Sequence, residues 1–323
     1  MTTAAPPRSA IRATGLRKSY GDKVVLDGID LDVAEGTVFA LLGPNGAGKT
    51  TTVQILSTLI GADAGDASID GHDLVGAPDA VRAAIGVTGQ FSAVDSLLTG
   101  EENLRLMADL HHLPKAEGRR RVADLLERFD IVDAARQPVV TYSGGMRRRL
   151  DLAMGLLGDP RLIFLDEPTT GLDPRSRRGM WEIVRELVAG GVTIFLTTQY
   201  LEEADQLADR VALLDHGRIV AEGTPEELKR TIPGGHISLR FPDAHHLDKA
   251  ARLLDTSGLR RDDEALTLQV PGDGSVDALR ALLDRLAHAS VEVAELAIHN
   301  PDLDDVFLTL TGRPAADPTE APR

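Results

Sequence analysis

Two hydrophobic rhythms alternate along this chain. Short, nearly unbroken apolar runs at 24–26, 38–42, 162–165, 193–196 and 211–214 read as buried strands, with helical patterns between them. Strands that alternate with helices predict an α/β architecture. Residues 213–220 read as a hairpin turning at His216-Gly217. Thr224-Pro225-Glu226-Glu227 has capping-box form with proline at the first helical position, so a short helix is expected there.

From about 91 to 160 the strand signal fades. Residues 103–113, 119–129 and 146–157 space Leu, Val and Met as helices do, which predicts a helical subdomain inserted into the α/β core. The breaker cluster Ile232-Pro233-Gly234-Gly235 marks a boundary between a first domain at 11–232 and a second at 233–312. The second reads strand 236–241, helix 247–254, strand 265–270, helix 276–286 and strand 291–298, which suggests a small α+β domain of ferredoxin-like kind. Its last helix is expected to start at Asn300-Pro301-Asp302, with Leu303, Val306, Phe307 and Leu310 along one face. That face either closes the small domain or docks onto a partner. Residues 1–10 and the Pro- and Ala-rich 313–323 are expected to be disordered.

Charge narrows the function classes. Across 323 residues, 35 Lys and Arg stand against 50 Asp and Glu, a formal net charge of −15. Such a balance speaks against a nucleic-acid partner, which calls for a basic surface. The runs Arg119 to Arg121 and Arg147 to Arg149 lie in helical stretches and read as solvated faces. There is no cysteine, which excludes thiol chemistry and fits a reducing compartment. The first eight residues lack the apolar core of a secretory signal, and no run of about 18 apolar residues offers a membrane span. The nine histidines include no pair at a zinc spacing, and Trp181 reads as a core residue.

The strongest chemical signal is Gly43-Pro44-Asn45-Gly46-Ala47-Gly48-Lys49-Thr50, which matches the phosphate-loop pattern G-x-x-x-x-G-K-[ST] and is followed by Thr51. Glycines let several backbone N–H groups converge on one anion, and the following helix points its positive end at the same phosphates. Lys49 is placed to neutralise the β and γ phosphates and the Thr50 hydroxyl to ligate Mg²⁺. A second apolar run ends in Asp166-Glu167, at the strand end where open α/β sheets hold ligands. Asp166 is expected to hold Mg²⁺ and Glu167 to polarise the attacking water.

Thr141-Tyr142-Ser143-Gly144-Gly145-Met146 resembles the signature of the ATP-binding-cassette (ABC) family, 94 residues after Lys49 and 23 before Asp166. Ser143, Gly144 and Gly145 form a small N-terminus for the next helix, a second anion site. The resemblance implies a P-loop NTPase core of ABC type at 11–232, binding ATP and Mg²⁺. It also implies that this signature closes on ATP held by a second ATPase subunit, in a head-to-tail homodimer. Tyr20 sits where an aromatic stacks on adenine, and Gln90 matches the glutamine that touches Mg²⁺ and senses the membrane partner. Asp173, in Gly171-Leu172-Asp173-Pro174, matches the D-loop.

One position departs from the pattern: Gln199 stands where the family usually has histidine. An amide donates a hydrogen bond but carries no charge, so Glu167 is expected to activate water and Gln199 to sense the γ-phosphate. The segments Gln199 to Asp205, Tyr142 to Arg149, Val87 to Gln90 and Pro301 to Leu308 together resemble the daunorubicin/doxorubicin-resistance ATPases of antibiotic exporters. That resemblance covers residues 11–312. It implies a peripheral ATPase on the cytoplasmic side of the cell membrane, bound to a multi-spanning permease that exports a hydrophobic drug. Alternative cargoes are a lipid or a polysaccharide. A non-transport ABC ATPase of translation or DNA repair would usually carry tandem cassettes, coiled-coil or zinc insertions, or a basic surface, whereas this sequence has one cassette, no cysteine and an acidic balance.

Overall fold

Alternation rather than apolar runs builds the first sheet. The computed structural model describes residues 8–89, 93–231, 235–254, 259–272, 275–299 and 302–312. It opens with β1 (Ser9–Tyr20), β2 (Lys23–Ala34), β3 (Val38–Leu42) and α1 (Lys49–Leu56). β4 (Ala64–Ile69), β5 (His72–Asp73), α2 (Pro78–Ala84) and β6 (Ile85–Thr88) follow. β2 buries Ile29, Leu31 and Val33 and turns Asp30 and Asp32 outward, a period of two that marks a one-faced strand. The expected strand at 24–26 is thus only the start of a 12-residue one. The sheet β2-β1-β4-β5 is antiparallel throughout.

No strand of either sheet interrupts the described residues between β6 and β7 (Leu162–Asp166). That span holds α3 (Gly100–Leu110), α4 (Lys115–Arg128) and α5 (Gly144–Gly155). Thr99 and Glu102 close a reciprocal capping box on α3, which fixes where that helix starts. The chain then runs through α6 (Pro174–Ala189), β8 (Thr193–Thr198), α7 (Leu201–Leu207), β9 (Arg210–Asp215) and β10 (Arg218–Gly223). His216 and Gly217 both take left-handed φ in the β9–β10 turn, as a tight hairpin requires.

The second sheet has the order β10-β9-β3-β8-β7-β6, parallel except for β10. β3, β7 and β8 are buried along their whole length, which is why they read as apolar runs. Register matters for chemistry: Leu42 pairs with Thr198, and Asp166 with Thr197. The C-terminal ends of β3, β8 and β7 therefore lie side by side, and the segments that leave them start from one edge.

The chain divides between Pro225 and Glu226 into two units, ahead of the 232–235 breaker cluster, most of which lies outside the described residues. After α8 (Pro225–Thr231) come β11 (His236–Arg240), α9 (Ala244–Leu253), β12 (Arg260–Asp262), β13 (Thr267–Pro271), α10 (Val276–His288), β14 (Glu295–His299) and α11 (Leu303–Thr311). The antiparallel order β12-β13-β11-β14, with a helix after the first and third strands, is the ferredoxin-like arrangement. Ile237, Leu239, Phe241, Leu247, Leu268 and Leu286 fill its core. β12 is Arg-Arg-Asp and fully exposed, so it left no hydrophobic trace in the sequence. The last helix is capped by Asp302 with Asp305, two residues later than expected, and Asn300-Pro301 lies outside the described residues. Leu303, Val306 and Phe307 are buried in the chain itself, which favours packing for these three, whereas Leu310 is 41% exposed.

Candidate active site

The loop after β3 is pinned by contacts that only glycine allows. A Cβ on Gly43 would sit 2.3 Å from the Leu214 carbonyl oxygen. Gly48 has φ 116°, and a Cβ there would meet Leu26 Cδ2 at 2.6 Å. Side chains are thus excluded where the backbone must lie against β2 and β9. α1 starts directly after Gly48, with no side-chain cap on its N-terminal N–H groups. Beside this N-terminus is a cavity of about 330 Å³ bordered by Pro44, Asn45, Gly46, Gly48, Lys49, Thr50, Thr51 and Glu167. Lys23 and Val25 of β2 complete its wall; sequence reasoning did not find them, since neither carries a motif.

Lys49 is only 5% exposed. Its ammonium donates to the carbonyls of Gly43 (2.7 Å) and Pro44 (3.3 Å) and lies 3.5 Å from Glu167 Oε1. Burial pulls its pKa below the usual lysine value, and the neighbouring Glu167 and Asp166 carboxylates work in the opposite direction. Asp166, at the end of β7, is buried. Its Oδ1 accepts from Thr197 Oγ1 (2.5 Å) in β8 and from Thr50 Oγ1 (3.4 Å) in α1. A carboxylate and a hydroxyl converge here from two elements, hard oxygen donors of the kind Mg²⁺ takes, so the residues fit that ion.

Glu167 carries φ 49°, a left-handed conformation that costs a non-glycine residue about 1–3 kcal/mol and persists only where its surroundings over-determine it. Its N–H donates to Thr197 O (3.1 Å), and its Oε2 accepts from Thr170 Oγ1 (3.3 Å). Gln199 follows β8 on the same sheet edge. Its buried Oε1 has no hydrogen-bond partner among the described residues, leaving an acceptor free to meet a donor from a ligand or solvent.

Tyr20, Ser143, Gly144, Gly145 and Asp173 do not line the cavity beside α1. Tyr20 ends β1, half exposed, paired with cavity-lining Lys23 and 5.7 Å from Lys18 Nζ. Gln90 lies outside the described residues. Ser143 caps α5 by accepting from Met146 N (3.2 Å), and neither it, Gly144 nor Gly145 borders the cavity. Gly145 instead packs on α6: a Cβ there would meet Ser176 Oγ at 2.6 Å. Ser176 Oγ donates to Asp173 Oδ2 (2.6 Å), and Asp173 also caps α6 through Arg175 N and Ser176 N (3.0 Å each). These bonds, the Ser176 hydroxyl first, hold the Asp173 carboxyl below its usual pKa.

Arg148 corrects the reading of the 147–149 run as a solvated face. Its side chain is 11% exposed and forms an ion pair with buried Asp151 (3.3 Å). Arg149 is partly buried as well, whereas Arg120 conforms to expectation at the surface. Trp181 is buried as expected and donates to Glu203 Oε1 (3.2 Å), a fully buried carboxyl whose pKa burial raises. His299, Asp302 and Asp305 bring ligand-capable atoms within 4.8 Å of one another, a grouping unseen in the sequence. Both aspartates are engaged in the α11 capping box.

Comparison with known proteins returns one consistent picture. The family described as "ABC transporter" matches residues 26–170. The chain is 51% identical over 304 residues to a daunorubicin resistance ATP-binding protein of Streptomyces coeruleorubidus, covering 94% of this chain and 96% of the relative. It is 48% identical over 314 residues to a daunorubicin/doxorubicin resistance ATP-binding protein of Streptomyces peucetius, covering 96% and 95%. Among solved structures, the ATP-binding subunit of an ABC transporter superposes with a TM-score of 0.62 at 31% identity, over 69% of this chain and 93% of that one.

Proposed function

Because the chain belongs to the ABC transporter family, among its drug-resistance ATP-binding proteins, and is an ATPase of that kind, we propose that it drives export of a daunorubicin-like hydrophobic drug through a separate multi-spanning permease. The observation that carries the catalytic part is the meeting of Lys49, Thr50, Asp166 and Glu167 from the ends of two adjacent elements. In this reading the Gly43–Thr51 backbone and Lys49 hold the ATP phosphates, as converging N–H groups and a buried cation are suited to do. Thr50 and Asp166 would hold Mg²⁺, with Gln90 beside them, and the ion neutralises phosphate charge when bound. Glu167 polarises the attacking water, and Gln199 hydrogen-bonds the γ-phosphate without taking a proton. Tyr20 stacks on the adenine.

A second copy of the chain completes the site in this proposal. Ser143, Gly144 and Gly145 present a helix N-terminus that does not border the cavity at Lys49 of its own subunit, which supports a role toward the nucleotide of the other, with Asp173 at the same face. Among the described residues no helix is long and apolar enough to cross a membrane, so the membrane path is supplied by the permease, with this subunit docked on its cytoplasmic side through the inserted helices. The second unit, residues 233–312 in the sequence reading, serves assembly.

Two variants test the assignment. Lys49→Ala and Glu167→Gln should each lower steady-state ATP turnover by about 100-fold or more, as loss of a charged group aimed at the reacting phosphate does. A folded variant of either kind with wild-type turnover would refute it. Cargo is tested by daunorubicin accumulation in cells that produce the chain together with a candidate multi-spanning permease. Accumulation should fall with the wild type and not with Glu167→Gln.

A further inference from the structure

Arg148 lies on α5, five residues beyond Ser143, yet its guanidinium turns inward to the end of β7. Nη2 donates to the carbonyl of Asp166 (3.0 Å) and Nε to the carbonyl of Pro168 (3.0 Å), the residues on either side of Glu167. Nη1 donates to the carbonyl of Gly89 (2.8 Å) and pairs with Asp151 Oδ2. The other Asp151 oxygen accepts from Ala93 N (3.1 Å). One planar fork thus fixes three backbone carbonyls, and its counterion fixes a fourth backbone group.

We propose that Arg148 is a positioning residue for Glu167, holding the strained turn that aims the hydrolytic carboxylate and tying it to the signature helix, to Gly89 and, through Asp151, to Ala93. The inference rests on the proposed role of Glu167. Its physical basis is the left-handed backbone of Glu167, which needs restraint on both flanks; the Asp166 and Pro168 carbonyls receive that restraint from a single group. A guanidinium is suited to this task because its donors diverge in a rigid plane, whereas an ammonium offers a single point of charge. A second consequence follows from the location of Arg148. Any shift of the α5 N-terminus, the end that carries Ser143 to Gly145, is transmitted through it to the turn bearing Glu167 of the same chain.

The test uses the full-length chain with Arg148→Lys and Arg148→Ala, alongside Glu167→Gln. Arg148→Lys keeps a cation for Asp151 and guards against simple misfolding. It should lower kcat by about 10- to 100-fold, the scale of a small misplacement of a catalytic group, while ATP affinity stays within about twofold of wild type. Millimolar guanidinium, but not ammonium, should restore part of the kcat of Arg148→Ala. Wild-type kcat in Arg148→Lys, with Glu167→Gln inactive, overturns the positioning role and leaves the hydrolytic assignment intact. A parallel loss of kcat, ATP affinity and thermal midpoint, without guanidinium rescue, assigns Arg148 to general structure and also overturns it. Wild-type turnover in Glu167→Gln removes the hydrolytic reading itself, and the inference with it.

Discussion

Two helices of this chain begin with small residues and carry no acidic residue in the first turn, but their surroundings differ. α1 starts at Gly48 without a side-chain cap, beside a cavity, a buried cation and two carboxylates. α5 follows its cap Ser143, whose hydroxyl already satisfies one N–H, and Gly145 packs onto α6. The first terminus is built against its own chain's chemistry. The second is stabilised by itself and offers only its outer face. A helix N-terminus is therefore not a site by virtue of its dipole alone; the groups brought around it decide what it does.

The largest effect is expected when each terminus is damaged on a different copy. Lys49→Ala and Ser143→Arg should each be inactive alone, since one lacks the phosphate cation and the other blocks the signature. Mixed together they should recover turnover, because a heterodimer pairs the intact Lys49 of one copy with the intact signature of the other. No recovery on mixing, when both proteins bind or dimerise normally, would mean the α5 terminus does not act across subunits. Next in size is Gly48→Ala, which must accommodate a Cβ 2.6 Å from Leu26 Cδ2 at φ 116°. It should abolish ATP binding and destabilise the fold by more than about 1 kcal/mol, read by urea unfolding. Ser143→Ala loses only an N-cap and should cost about 1 kcal/mol, with Ser143→Gly costing a few tenths.

How legible each terminus was follows from the kind of signal it leaves. The phosphate loop, β3, β7 and β8 were readable because buried parallel strands are apolar runs and the loop has a fixed glycine pattern. β1 and most of β2 were passed over because their information lies in alternation, Ile-Asp-Leu-Asp-Val at 29–33, rather than in apolar density. The ferredoxin-like order was legible in outline, although β12, all charged and exposed, was invisible. Arg148 shows the deeper limit. Three consecutive arginines on a helix look alike in sequence, and only the packing of α5 against β6 and β7 decides which one turns inward. Lys23 and Val25 likewise border the cavity through the position of β2, with nothing in their identity to announce it.

The last effect concerns what the α1 terminus costs. Lys49 is held below its usual pKa mainly by burial, so the native chain gives up its proton more readily than the unfolded chain does. Between that lowered native value and the ordinary lysine value of 10.5, the unfolded state binds more protons, and stability rises with pH. Below the window the burial of the charged ammonium opposes folding by a constant amount; above it, that penalty is gone. Lys49→Met removes the titration. The stability of wild type minus that of Lys49→Met should therefore increase with pH across the window, by up to about 1.4 kcal/mol per pH unit, measured by paired urea unfolding curves. The α5 terminus has no buried lysine, so Ser143→Ala should shift stability by the same amount at every pH in that range. A difference between wild type and Lys49→Met that stays flat would mean that the Glu167 and Asp166 carboxylates balance desolvation, and one that falls would mean that they outweigh it and that the α1 cation is stabilising in its own right.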